Sequence, residues 1–99
     1  MPFRTPEPLS AAQLQASLAN LPAWKVENGE LARTAVFADF QRAMEFVNRV
    51  AGLAEAAGHH PDIDIRYNKV RLGLTTHDAR GITQKDIHLA LEIERNLQT

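Results

Sequence analysis

Between Gly58 and Leu74 the chain reads GHHPDIDIRYNKVRLGL, and this stretch decides the fold. Ile63, Ile65 and Tyr67 alternate with Asp62, Asp64 and Arg66; beyond Asn68, Val70, Leu72 and Leu74 alternate with Lys69, Arg71 and Gly73. A period of two puts each set on one side of a strand, so the two runs predict a hairpin that turns near Asn68. So short a connection makes the pair antiparallel, because parallel strands need a long crossover.

Upstream, Gly58 has the conformational freedom that a helix end requires, and Pro61 forbids continuation. Asp39 is the matching N-cap, which predicts a helix over Phe40 to Ala57. Phe40, Ala43, Met44, Val47, Val50, Ala51 and Ala54 form its expected apolar stripe. A second hairpin precedes it: Trp24 to Glu27, then Asn28-Gly29, then Glu30 to Phe37. Asn-Gly suits such a turn because both central residues must accept positive φ. Trp24 reads as a core or core-rim residue. Ser10 and Gln13 make a capping box that starts a short helix carrying Leu14 and Leu18, and Asn20-Leu21-Pro22 closes it.

Downstream, Thr76 to Ile82 reads as a loop, and Thr83 caps a last helix that runs to about Gln98. Asp86 falls in its first turn, Ile87, Leu91 and Leu97 face inward, and His88 reads as structural. The order α-β-β-α-β-β-α predicts an α+β fold, a four-stranded antiparallel sheet with three helices on one face. Residues 1–9, with Pro2, Pro6 and Pro8, read as a flexible N-terminal segment, and residues 10–99 as a single domain.

Composition narrows the function classes. The 99 residues carry 44% hydrophobic and 23% charged side chains, an ordinary globular balance that argues against a disordered chain. Eleven Lys and Arg against 12 Asp and Glu give a net charge of −1, which offers no bait for nucleic acid or an anionic membrane. The absence of cysteine excludes disulfide scaffolds, thiolate metal sites and Cys nucleophiles. No apolar run approaches the ~18 residues of a membrane span and no leader-like segment opens the chain, so the expected location is cytoplasmic.

Three histidines lie at element ends: His59 and His60 after the long helix, His77 after the last strand. The hairpin between them runs out and back, which returns both groups to one edge of the sheet. Glu55 sits in the last helical turn, where the macrodipole disfavours a carboxylate, and Asp86 lies beyond the His77 loop, where it could accept an imidazole N–H. Imidazoles and acids in one pocket suit proton transfer near neutral pH. Each residue also has a plainer reading: solvated histidines after a helix cap, a solvated Glu55, a first-turn acid at Asp86. Arg66, Lys69 and Arg71 are most simply a solvated face. Zinc is disfavoured, since adjacent histidines point apart in an extended segment and no helical pair preorganises two ligands. No Gly-x-Ser-x-Gly elbow is present for nucleophilic hydrolysis.

Taken together, Glu55-x3-His59-His60-Pro61-x5-Tyr67-x9-His77-x8-Asp86 resembles the signature of the pterin-4a-carbinolamine dehydratases. The likeness extends through the Trp24 hairpin, Asp39-Phe40 and Leu74-Thr75-Thr76-His77, and covers residues 10–98. It implies a hydro-lyase that removes water from a 4a-hydroxytetrahydropterin to give the quinonoid dihydropterin, in tetrahydrobiopterin recycling. It further implies His59, His60 and His77 as the active-site histidines, with His59 and His77 as acid–base groups and His60 mainly in substrate binding. Glu55 and Asp86 would bind the polar edge of the pterin or fix imidazole tautomers. The resemblance implies no metal, nicotinamide or flavin, and assembly as a homodimer or homotetramer. The alternative is a non-catalytic binding or dimerisation module on the same fold.

Overall fold

Two tight turns build the sheet. In this computed structural model, which describes residues 7–97, Asn28 and Gly29 take φ values of 51° and 79° and join β1 (Lys25–Glu27) to β2 (Glu30–Val36). The second turn joins β3 (Asp62–Arg66) to β4 (Lys69–Leu74). The helices are α1 (Ala11–Leu18), α2 (Phe40–Ala57) and α3 (Gln84–Leu97), with a single 3₁₀ turn at His77–Ala79 before α3. The sheet is wholly antiparallel with strand order β1-β2-β4-β3, so the two hairpins lie side by side and α2 carries the chain between them. The fold is therefore the α+β arrangement that the sequence predicts.

Register assigns the faces. Leu31 pairs with Leu74, Arg33 with Leu72 and Ala35 with Val70, and Leu72 also faces Ile63. Side chains opposite one another share a face, so this set turns toward the helices, and Leu31, Ala35, Val70, Leu72 and Leu74 are all buried. The opposite face carries Lys25, Glu27, Glu30, Asp62, Asp64, Arg66, Lys69 and Arg71, a mixed-charge surface. There Arg66 pairs with Asp64, and Arg71 reaches Glu27 and Glu30. The Glu30 carboxylate lies over Gly73, where an added Cβ would sit 2.8 Å from both its oxygens. Burial, then the neighbouring Asp62 carboxylate, push the Glu30 pKa above its ordinary value.

Local chemistry sets the helix ends. Ser10 accepts from the Gln13 N–H at 3.1 Å and donates its own N–H to Gln13 Oε1 at 2.9 Å. Asp39 Oδ1 accepts from the Arg42 N–H at 2.8 Å, which leaves one fewer orphan donor at the start of α2. Thr83 Oγ1 accepts from the Lys85 N–H, and the Asp86 carboxylate accepts from the Thr83 N–H, so two donors at the start of α3 are satisfied by side chains. Gln98, the expected end of that helix, lies outside the described residues.

Four expectations need correction. The buried stripe of α2 is Ala43, Phe46, Val50 and Ala54, with Val47 and Leu53 packed beside it, whereas Phe40 and Ala51 are exposed. The true face lies roughly 60° round the helix from the expected one, because Phe46 turns inward against Phe37, ring centroids 5.0 Å apart. Tyr67 is not a strand residue. Arg66 pairs with Lys69, which leaves Tyr67-Asn68 as a two-residue turn with Tyr67 at φ 52° and exposed. Asn68 secures it by donating from Nδ2 to the Phe37 carbonyl and accepting the Phe37 N–H, both at 2.8 Å. On α3, Leu91 is exposed, and Leu89, Ala90 and Ile93 join Ile87 in the core. His88 is exposed rather than packed.

Trp24 is buried and donates from Nε1 to Glu94 Oε1 at 2.7 Å. The same oxygen lies 2.9 Å from Arg33 Nε, whose N–H is not aligned on it, so that contact is an ion pair rather than a hydrogen bond. One carboxylate thus ties α3 to the first hairpin. Of the segment expected to lead the domain loosely, residues 1–6 lie outside the described residues, while Leu9 donates its N–H to the Ile82 carbonyl at 2.8 Å and packs against the core.

Candidate active site

The end of α2 fixes the first histidine. Gly58 takes the left-handed conformation, φ 62°, with its N–H donated to the Glu55 carbonyl at 3.2 Å. The next N–H, that of His59, reaches the Ala54 carbonyl at 3.1 Å. These two bonds are a Schellman motif, so the His59 backbone is part of the helix terminus itself. His60 and Pro61 follow, and β3 begins at Asp62, which pairs with Gly73 near the end of β4. The start of β3 and the exit of β4 are therefore neighbours. Thr75, Thr76 and His77 leave the sheet beside His59 and His60.

The His77 loop is closed on itself. Thr76 pairs with Gly81, the Ala79 N–H reaches the Thr76 carbonyl at 3.0 Å, and Arg80 adopts φ 58°. This delivers Thr83 and α3 directly beneath the histidines. Asp86, in the first turn of α3, is wholly buried, yet three donors converge on it. Thr76 Oγ1 donates to Oδ2 at 2.9 Å, the Thr83 N–H donates to Oδ2 at 2.8 Å, and His59 Nε2 lies 2.5 Å from Oδ1.

Proton counting assigns the direction of each bond. Thr76 spends its one hydroxyl proton on Asp86, so in the 2.7 Å contact between Thr76 and Thr83 hydroxyls, Thr83 is the donor. Every neighbour thus presents hydrogen to the carboxylate, and His59 must do the same from Nε2. That fixes the neutral imidazole tautomer and leaves Nδ1 as the atom able to accept a proton. His59 is nearly enclosed, with 12% of its side chain exposed.

His60 Nε2 lies 2.9 Å from Glu55 Oε1, one turn back on α2, and both side chains are open to solvent. Gly58, His59, His60, Thr75, Thr76, His77, Asp78 and Lys85 line one cavity of about 290 Å³. The structure therefore brings all three histidines of the sequence reading to one cavity. Glu55 and Asp86 are not among its walls; each stands behind a histidine. Lys85, Asp78 and the Thr76–Thr83 relay were not singled out from sequence. Only Thr83 carried a signal, as a helix cap.

A second groove of about 360 Å³ adjoins the first and shares His59 and Lys85 with it. Its walls are Leu53, Ala56 and Ala57 of α2 and His88, Leu89 and Glu92 of α3. His88, read as structural from sequence, instead stands at this opening. Among the described residues no three His, Asp or Glu side chains are grouped as a metal ion would require, and no helix is long and apolar enough to cross a membrane.

Residues 7–96 match the family described as pterin 4 alpha carbinolamine dehydratase. A protein of Chloroflexus aurantiacus, named "putative pterin-4-alpha-carbinolamine dehydratase", is 59% identical over 86 residues, which span 87% of this chain and 92% of that one. Among solved structures, a transcriptional coactivator/pterin dehydratase from Brucella melitensis superposes with a TM-score of 0.86 at 30% identity, covering 90% of this chain and 97% of that one. A pterin dehydratase-like protein described as a RuBisCO assembly factor in the alpha-carboxysome superposes with a TM-score of 0.61 at 18% identity, over 73% and 83% of the two chains, and so shares the fold.

Proposed function

Since this chain belongs to the pterin-4a-carbinolamine dehydratase family, we propose that it removes water from a 4a-hydroxytetrahydropterin by histidine acid–base catalysis. The observation that carries this reading is one cavity walled by His59, His60 and His77, with His59 anchored on the buried Asp86 carboxylate. In the reaction the C4a–O bond breaks and the C4a–N5 double bond forms. One imidazolium gives a proton to the departing hydroxyl, and one neutral imidazole takes the proton from N5. Water and a quinonoid dihydropterin leave, and proton exchange with solvent resets the pair. The step is an elimination with no change of oxidation state, so it calls for no nicotinamide or flavin.

His59 and His77 take the two proton-transfer roles in this reading, and His60, steadied by Glu55, binds the polar edge of the pterin. Asp86, wholly buried behind His59, acts on the substrate through that imidazole, whereas the exposed Glu55 steadies His60 from the solvent side. The family supplies the pterin; the acid–base assignment is our own. We place the enzyme in tetrahydrobiopterin recycling, in the cytoplasm, after a pterin-dependent aromatic amino-acid hydroxylase. Assembly as a homodimer or homotetramer through the open edges of β1 and β3 would cover their unpaired backbone groups. The relative at 18% identity supports the fold alone, and the Brucella melitensis structure is named both coactivator and dehydratase, so the alternative is a non-catalytic binding module on the same fold.

Rapid-mixing measurement of carbinolamine breakdown tests the proposal. His59→Ala and His77→Ala are each expected to lose about 10²-fold or more, the scale of an acid–base group. Folded variants that keep wild-type rates would overturn the assignment.

A further inference from the structure

His59 lies at the junction of two cavities of opposite character. The first, toward His60 and His77, is rich in hydroxyls and imidazoles. The second has an apolar floor of Leu53, Ala56, Ala57 and Leu89, with His88 and Glu92 one turn apart at its rim. Of the three site histidines, His59 alone lines both. In a 4a-carbinolamine the reacting atoms are C4a and N5, and C6 is bonded directly to N5. An imidazole that serves this edge is therefore within contact distance of whatever group C6 carries. The bicyclic head, with its amide and amine functions, belongs among the hydroxyls and imidazoles, and an aliphatic arm belongs on the apolar floor.

We propose that the groove between α2 and α3 receives the C6 substituent of the pterin, so that Ala56 and Ala57 set which pterins are accepted. This rests on the dehydratase reading and names the residues that would select among C6 substituents. Ala56 and Ala57 are small and exposed in the last turn of α2, which keeps the groove open. His88 and Glu92 supply a ring nitrogen and a carboxylate able to meet hydroxyl groups on the arm.

The test compares carbinolamines that carry hydrogen or a dihydroxypropyl arm at C6, with wild type, Ala56→Phe and Ala57→Phe. Both substitutions fall on solvent-facing helix positions, so they fill the groove without disturbing the core. The ratio of kcat/KM for the armed over the unarmed substrate is expected to fall about tenfold or more in each variant, chiefly through KM. Equilibrium titration with the corresponding dihydropterins gives a reading independent of turnover, and the same selective weakening is expected there. An unchanged ratio, or equal losses on both substrates, would overturn the groove assignment while the dehydratase reading stands. An unchanged ratio with an altered oligomeric state would assign the groove to a second copy of the chain and overturn the proposal. Selective binding without turnover by wild type would sustain the groove and remove the dehydratase reading. Absence of both binding and turnover would sink both.

Discussion

Asp86 carries no hydrogen of its own when ionised, and its three neighbours all point hydrogen at it. Replacement by Asn inverts one of those contacts. The amide oxygen can still accept from Thr76 and Thr83, but the NH₂ then faces His59 Nε2 and requires that atom to be an acceptor. The His59 proton moves to Nδ1, which removes the basic nitrogen. Asp86→Asn is therefore expected to lower kcat about 10²-fold with a much smaller change in KM, and to switch the His59 ring tautomer in ¹⁵N NMR spectra. The buried amide also costs about 1–3 kcal/mol of stability, readable by urea unfolding. Loss of activity with the tautomer unchanged would mean that Asp86 acts in some other way.

At the scale of single elements, the end of α2 joins helix capping to site geometry. Gly58 has open space around the position where a Cβ would sit, so Gly58→Ala meets no clash, only the strain of a positive φ. A loss of about 1 kcal/mol is expected in thermal or denaturant unfolding. Activity should fall as well, because the His59 backbone closes the same motif. Much of this element was legible. Asp39 and Gly58 announce the bounds of α2 because capping is a local matter of one side chain and one φ value. The face that α2 buries was less legible, because Ala43, Val47, Val50 and Ala54 fit two overlapping stripes and only the packing of Phe46 on Phe37 chooses between them. Tyr67 misled for a related reason: alternation continues through it, and the Arg66–Lys69 pairing that places it in the turn is a property of two strands, not one. The three histidines could be brought together from sequence because hairpin geometry is predictable. The relay of Thr76, Thr83 and Asp86 could not, since it needs the closed path of the intervening loop.

Across the whole molecule the sheet separates two environments, a dry face toward the helices and a face of opposed charges. Glu30 belongs to the second but is partly covered, and burial together with the Asp62 carboxylate raises its pKa above 4.5 in the folded state. A carboxyl whose folded value is raised favours folding most when protonated. Its contribution is thus fully present below the unfolded value and is lost as pH rises through the folded one. Glu30→Gln removes this dependence and can still donate to Asp62. The variant is expected to match wild type at acid pH, where Glu30 is protonated, and to be the more stable of the two near neutral pH. A pH series of melting curves for the two proteins checks the sign, and a gain at low pH alone would contradict it.

The carboxylate of residue 86 caps the last helix and also holds the His59 ring, and that double duty shapes how the molecule fails. Unwinding the first turn of α3 frees Thr83 and His59 together, and because a domain this small unfolds cooperatively, Trp24, bonded to Glu94 further along the same helix, registers the same transition in its fluorescence. Warming therefore leaves little room for a folded yet inert population: turnover and indole emission should decay along one curve.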